Sequence, residues 1–412
     1  MRTLLVMPDN RSGPLNELRT AASDLQAALI KTLRPIDAEM RVMSVARQLG
    51  IDKSLASKAV RCAKTSEPLR AAHEAPANAG LSIVADAAER AGAARGEVEA
   101  LRSAAAGLIL AIERFPGGRQ GMSTALSAQL PALRKADAIR ARRSVFRAMI
   151  KLAGFELETF YTAYWFMPND DDPGRCDQAR VSWIRGLKRY RGDGHLLIEC
   201  GNPTEHQPDA PDRFAITGEP ISTDPVRMLL PGFSTVRPDE LSVYRADRIQ
   251  GLTLGADVPA LGTPADIAQG TWSRSSAARS ASAEKPWELV RISNRRPTRV
   301  LVADMILGDG VFPGVTPRVQ SRLSGVPFPP STDGPSDFPF DLAEQPHELT
   351  QIDPAAGGVR STDAPGVEAL LPWVHRQRGW DPARCRVWRL RIEYPLPTIE
   401  TMVWFQLPPA AR

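Results

Sequence analysis

Lys53, Ser54, Ser57, Lys58, Arg61 and Lys64 fall within twelve positions and can all face outward from one short helix. Their chemistry is that of recognition. Lysine and serine side chains hydrogen-bond to base edges exposed in a major groove, so Lys53, Ser54, Ser57 and Lys58 are the base-reading candidates. Arg61, Lys64 and the free amides at the start of such a helix suit phosphate oxygens, which fix register without reading sequence.

The stretch that must position them is Val42 to Arg61, VMSVARQLGIDKSLASKAVR. Val45, Ala46 and Leu49 share one face of a first helix, Gly50 turns readily with positive φ, and Ile51 plugs the corner. Leu55, Ala56, Ala59 and Val60 form the inward face of a second helix. A small fifth residue, Leu-Gly at eight and nine, an aliphatic at ten and apolar residues near fifteen, eighteen and nineteen make a pattern that resembles the DNA-binding helix-turn-helix of phage Cro and bacterial repressors. Ala56 stands where those repressors usually carry Val or Ile. The resemblance spans only these twenty residues; it implies a double-stranded DNA partner and no cofactor, and supplies no catalytic residue. An alanine-rich hairpin that turns at a glycine for packing alone is the other reading.

Three further groupings contain reactive types. Cys176, His195, Cys200 and His206 lie within about thirty residues and have zinc-ligand chemistry, but their spacing is irregular and contains no CxxC pair. Asn169 to Asp172 with Asp177 is an acidic run beside Pro-Gly, which reads as a solvated turn before a cation site. His375, Asp381 and Cys385 make a nucleophile set only if the fold gathers them. Phosphate-loop, dinucleotide-binding, HExxH and GxSxG patterns are not found. The expectation is therefore no metal, no cofactor and no catalytic residue, with an enzyme on the C-terminal region as a third alternative that a pocket lined by His195, Asp304 and His375 would favour.

Composition sharpens the partner. Residues 1–160 hold 24 Lys and Arg against 16 Asp and Glu, whereas residues 161–412 hold 28 against 31. The excess positive charge coincides with the helix-turn-helix pattern, as a polyanionic partner requires. Arg outnumbers Lys by 44 to 8, a bias that a GC-rich genome also produces. MRTLLVMPDN has too short an apolar run for a signal peptide, and the longest such stretch, Ala104 to Ile112, is far short of a membrane span. The expected location is the cytoplasm, at the nucleoid. The four cysteines stand far apart, which argues against a disulfide framework.

The 412 residues suggest a multidomain α+β protein. Residues 1–15 read as a flexible arm, and 16–115 as an all-helical domain, with helices from Asn16 to Arg34, from Pro68, from Leu81 to Ala91 and from Gly96 to Arg114. Asp37 is placed to cap the first helix of the motif. No strand pattern follows the second helix, so no wing is expected. After a Gly-rich loop at Phe115 to Gly121, residues 122–166 read as long connecting helices or a dimerisation region, periodic from Ala132 to Trp165. Arg134, Lys135, Arg140, Arg142, Arg143, Arg147 and Lys151 there face only Asp137, for phosphate contact or as a solvated face paired with Asp170 to Asp172. The aromatic end, Phe155 to Phe166, reads as core or a dimer seam.

Residues 167–412 read as an α+β or mainly β domain of unassigned role. Strands are expected at His195 to Cys200, Ala215 to Thr217, Leu241 to Tyr244 and Arg299 to Leu307. Alternation in Trp388 to Tyr394 and in Ile399 to Leu407 predicts a terminal β-hairpin. Thr271 to Lys285 and Gly325 to Pro339 read as exposed loops. The function expected from all this is sequence-specific DNA binding by a homodimeric transcriptional regulator, with a protein-docking scaffold as the alternative; an effector is not specified.

Overall fold

The computed structural model describes residues 13–192, 196–201, 213–221, 224–246, 249–255, 257–283, 285–323, 334–335, 345–354 and 358–409. The chain mixes helices and sheets and divides into two compact units, 1–137 and 138–412.

In the first unit α1 (Pro14–Leu33), α2 (Val42–Leu49), α3 (Lys53–Lys64), α4 (Pro68–Glu74), α5 (Asn78–Arg90), α6 (Arg95–Arg114) and α7 (Gly118–Gln129) follow one another, and α8 (Pro131–Ala153) crosses into the second unit. The spine is α1, whose Leu18, Leu25, Leu29 and Leu33 recur at helical spacing and are fully buried. Leu101 and Leu108 of α6, and Ala56, Ala59 and Val60 of α3, belong to the same core. Residues 1–12 of the expected arm lie outside the described residues, and Pro14 and Leu15 already belong to α1, whose first turn tolerates proline. Asp37 does not cap α2. Arg41 holds the N-cap position without a side-chain bond, while Asp37 accepts from the Glu39 amide at 2.9 Å. A hydrogen bond from Ser44, then the Glu39 amide and Arg41, hold the Asp37 carboxyl below its ordinary value.

The second unit departs most from expectation at its start. The periodic helix ends at Ala153, Gly154 turns at φ 75°, and Phe155–Pro168 is a strand, β1. The aromatic residues there are sheet core, and the helical connector is shorter than 122–166. From Leu157 to Met167 all but one residue of β1 is buried, on both faces of the sheet, so the period-two signal is missing.

The remaining elements are β2 (Arg175–Arg189), β3 (Leu196–Gly201), β4 (Arg213–Ala215), β5 (Leu241–Ala246), β6 (Ile249–Leu254), β7 (Ala265–Ala278), β8 (Trp287–Ser293), β9 (Thr298–Gly308), β10 (Arg318–Leu323), β11 (Glu348–Ile352), α9 (Val367–Arg378), β12 (Cys385–Glu393) and β13 (Ile399–Gln406). Seven strands form one sheet in the order β11-β12-β9-β1-β2-β7-β4; two three-stranded sheets run β10-β13-β8 and β3-β6-β5. Within the large sheet only β1 and β9 pair in parallel among the described strands. One face buries Tyr161, Trp165, Val302 and Ile306 against Leu370 and Val374 of α9. The other carries Phe166, which meets Phe312 and Phe405 with ring centroids 5.6 and 6.1 Å away.

Three strand expectations need correction. Of Ala215 to Thr217 only Ala215 belongs to a strand, and Ile216 and Thr217 form the turn after it. β12 and β13 do not form a terminal hairpin: β12 lies between β9 and β11, and β13 between β8 and β10. Tyr394, at φ 49°, and the two prolines that follow carry the chain from one sheet to the other. Thr271 to Ala278, expected as loop, is the latter half of β7. Just before that stretch Gly270 stands in a crowded place, since a Cβ there would come within 2.9 Å of both the Ile216 and Val181 side chains. Gly325 to Pro339 lies outside the described residues except for 334–335.

Candidate nucleic-acid interface

α2 ends because Gly50 adopts the left-handed conformation at φ 63°, where a side chain would be strained. The Ile51 amide then donates back to the Ala46 carbonyl at 3.1 Å, and the Gly50 amide to Arg47 at 3.3 Å, which closes the helix end and aims the chain at α3. Ile51 packs against the core. Asp52 opens α3 by accepting from the Ser54 amide at 2.7 Å, and hydrogen bonds from Ser54 hold its carboxyl below its usual value.

The inward side of α3 consists of Ala56, Ala59, Val60, Cys62 and Ala63. Ala56 is wholly buried, so the small residue leaves the helix seated closely on its neighbours. Cys62 donates to the Ala71 carbonyl at 3.4 Å, and burial, with Glu74 nearby, pushes its thiol up to about 12. From α1, Gln26 Nε2 donates to the Cys62 and Thr65 carbonyls at 3.1 and 2.7 Å and fixes the end of α3.

On the outward side Lys53, Ser54, Lys58, Arg61 and Lys64 are exposed and Ser57 is half-buried. All six expected residues thus sit on one helix. Arg61 also pairs with Glu74 at 3.2 Å, so its guanidinium is not given wholly to the surface. It borders a concavity of about 340 Å³ with Lys64, Thr65, Ser66, Arg70 and Glu74. Arg70 was not anticipated. Its position on a seven-residue helix that the motif does not include left no local signal.

The other groupings are not brought together as chemistry. Cys176 is a buried thiol pushed up to about 12 by burial; His195 and His206 lie outside the described residues, as does the Cys200 side chain. Among the described residues no cluster of three or more His, Cys, Asp or Glu is placed to hold a metal. Asn169 organises the acidic turn: its Oδ1 accepts from the Asp171 and Asp172 amides at 2.8 Å, and its Nδ2 donates to Asp177 at 2.6 Å. The carboxylate of Asp171 faces Arg274, not the arginines of α8.

The fold does bring His375, Asp381 and Cys385 near one another, with the Cys385 thiol donating to the Asp381 carbonyl at 3.4 Å and the Asp381 charge acting on both His375 and Cys385, but each side chain is engaged elsewhere. His375 Nε2 accepts from Trp165 Nε1 at 3.2 Å, Asp381 caps the Ala383 amide at 2.9 Å, and burial pushes the Cys385 thiol up to about 12. Asp304 is fully buried and held by Arg389 and by the Tyr161 hydroxyl at 2.8 Å; burial and the Asp304 charge keep that hydroxyl protonated well above its ordinary range. No described helix is long and apolar enough to cross a membrane.

No family model and no curated protein matches the chain. Among solved structures it is similar to a candidate protease from Parabacteroides distasonis, with 6% identity and a TM-score of 0.27, over 61% of this chain and 40% of that one. The chain spans less than half the length of that protein, and a likeness at that score bears on neither fold nor activity.

Proposed function

We propose that the chain is a sequence-specific DNA-binding protein, a transcriptional regulator whose all-helical first unit enters the major groove with α3. The observation that carries this reading is the outward face of α3, where Lys53, Ser54, Ser57 and Lys58 stand beyond a Gly50-terminated helix and an Asp52 cap. These four side chains address base edges. Arg61, Lys64 and Arg70, around one concavity, address phosphates. The second unit serves association or sensing. A single recognition helix makes few base contacts, so the protein acts as a homodimer on a two-fold site with half-sites about 34 to 36 Å apart.

Selection of bound duplexes from a random pool tests the reading. One sequence should be enriched, and Lys58→Ala should weaken that site by about 1 to 3 kcal/mol at one stated salt concentration. Equal affinity of parent and variant overturns the assignment of Lys58. No enrichment, with shallow salt dependence, transfers the hairpin to the protein-docking alternative. Light scattering that finds only monomer, with and without the selected duplex, removes the homodimer.

A further inference from the structure

The part of α8 that belongs to the second unit, residues 138–153, holds Arg140, Arg142, Arg143, Arg147 and Lys151 and no carboxylate. Arg142 is turned inward and buried. Arg143, Arg147 and Lys151 are exposed and recur every four residues, so they occupy successive turns about 6 Å apart along the axis. The Arg143 guanidinium lies 5.9 Å from the centre of the Tyr394 ring, which steadies its stem and leaves its charge uncancelled. Among the described residues neither Arg147 nor Lys151 forms an ion pair.

We infer that this face of α8 is a sequence-blind contact for the phosphate backbone of double-stranded DNA. A row of cations without intervening acids matches a partner whose negative charges also come in a row, and release of condensed counterions drives the association. Guanidinium groups suit phosphate oxygens, which accept two parallel N–H bonds. An anionic membrane surface fits less well. A membrane-lying helix presents apolar residues beside its basic ones. On α8 the exposed apolar residues Val145 and Leu152, 41% and 71% exposed, lie roughly 150° around the helix from the middle of the basic row. The basic face and the apolar flank therefore cannot meet one flat surface together.

This contact is independent of the helix-turn-helix reading and stands or falls separately. The test is titration of the full chain against a random-sequence duplex across a salt series, by fluorescence anisotropy, with the triple variant Arg143→Gln/Arg147→Gln/Lys151→Gln alongside. The plot of log affinity against log salt should become shallower by about 2 to 3 in the variant, while any preference of the parent for a selected duplex is kept. Because Arg143 touches Tyr394, a second variant, Arg147→Gln/Lys151→Gln, guards against a folding loss; it should lower the slope by about 2. Arg147→Lys should keep the slope of the parent. An unchanged slope in both charge-removing variants overturns the inference. So does a parent that ignores DNA but binds phosphatidylserine vesicles through these residues. Loss of sequence preference in Lys58→Ala with the slope effect of α8 intact would separate the two readings.

Discussion

The side-chain amide of Gln26 donates to the Cys62 carbonyl at 3.1 Å, and the same nitrogen reaches the Thr65 carbonyl at 2.7 Å. These are carbonyls at the end of α3 that the helix itself cannot satisfy. The buried spine α1 thereby sets where α3 stops. Gln26→Ala should destabilise the first unit by about 1 to 2 kcal/mol, because two acceptors lose their donor in a partly buried place. Gln26→Glu should not restore the loss, since a carboxylate has no hydrogen to donate. Every Trp and Tyr of the chain lies beyond residue 160, so far-ultraviolet circular dichroism, with tryptophan fluorescence as the control for the second unit, measures this change. Full stability in Gln26→Ala would mean that water replaces the amide without cost.

Gly50 makes a different contribution. A Cβ there would meet nothing within 4 Å, yet the residue sits at φ 63°. The cost of Gly50→Ala is therefore conformational, about 1 kcal/mol, and Gly50→Asn should cost less because asparagine visits this region more readily. The two variants are compared by denaturant unfolding followed by circular dichroism. Equal losses would place the cause in packing instead.

In the second unit, Arg389 grips Asp304 through two bonds of 2.7 Å, Nε to Oδ1 and Nη2 to Oδ2, while Tyr161 donates to the same carboxylate. Both partners are largely removed from water. Asp304→Asn keeps the shape and removes the charge, which leaves a guanidinium buried without its counterion; the expected loss is about 3 to 5 kcal/mol. Replacing both, as Asp304→Leu with Arg389→Met, should recover much of it. Tryptophan fluorescence in a denaturant titration reads the second unit directly. A loss in the double variant as large as in Asp304→Asn would show that the pair is valued for shape and not for charge balance.

What could be read from residue order, and what could not, follows from range. The Val45, Ala46, Leu49, Gly50, Ile51 series is decided within a dozen residues, so the α2–turn–α3 geometry was legible, as were the chemical types on its outer face. β1 was not, because Phe160, Tyr161, Trp165 and Phe166 are buried on both sides of the sheet and show no alternation. The alternation of Trp388 to Glu393 did reveal a strand, yet its partner is chosen by Leu390 and Ile392 packing beside β9, more than eighty residues earlier in the chain. Sequence neighbours suggested β13 instead, and the positive φ of Tyr394 breaks that proximity. Tyr161, Asp304 and Arg389 stand 143 and 85 residues apart, a separation at which no local spacing signals a contact.

His375 offers a test by pH. It is buried on α9, its Nε2 accepts from the Trp165 indole, and burial lowers its pKa below the ordinary 6.5, with the charge of Asp381 opposing. Protonation on Nε2 would set one N–H against another. The native imidazole thus takes up a proton less readily than the unfolded one. Above pH 6.5 both are neutral and the stabilisation is complete; as pH falls below 6.5 the unfolded chain protonates first, stability declines, and the decline stops once the native pKa is passed. His375→Gln keeps an acceptor for Trp165 and removes the titration. Melting of the second unit, followed by tryptophan fluorescence through this range, should therefore depend more steeply on pH in the parent than in His375→Gln. Parallel curves would show that another group carries the pH dependence and that His375 is protonated at no cost to the fold.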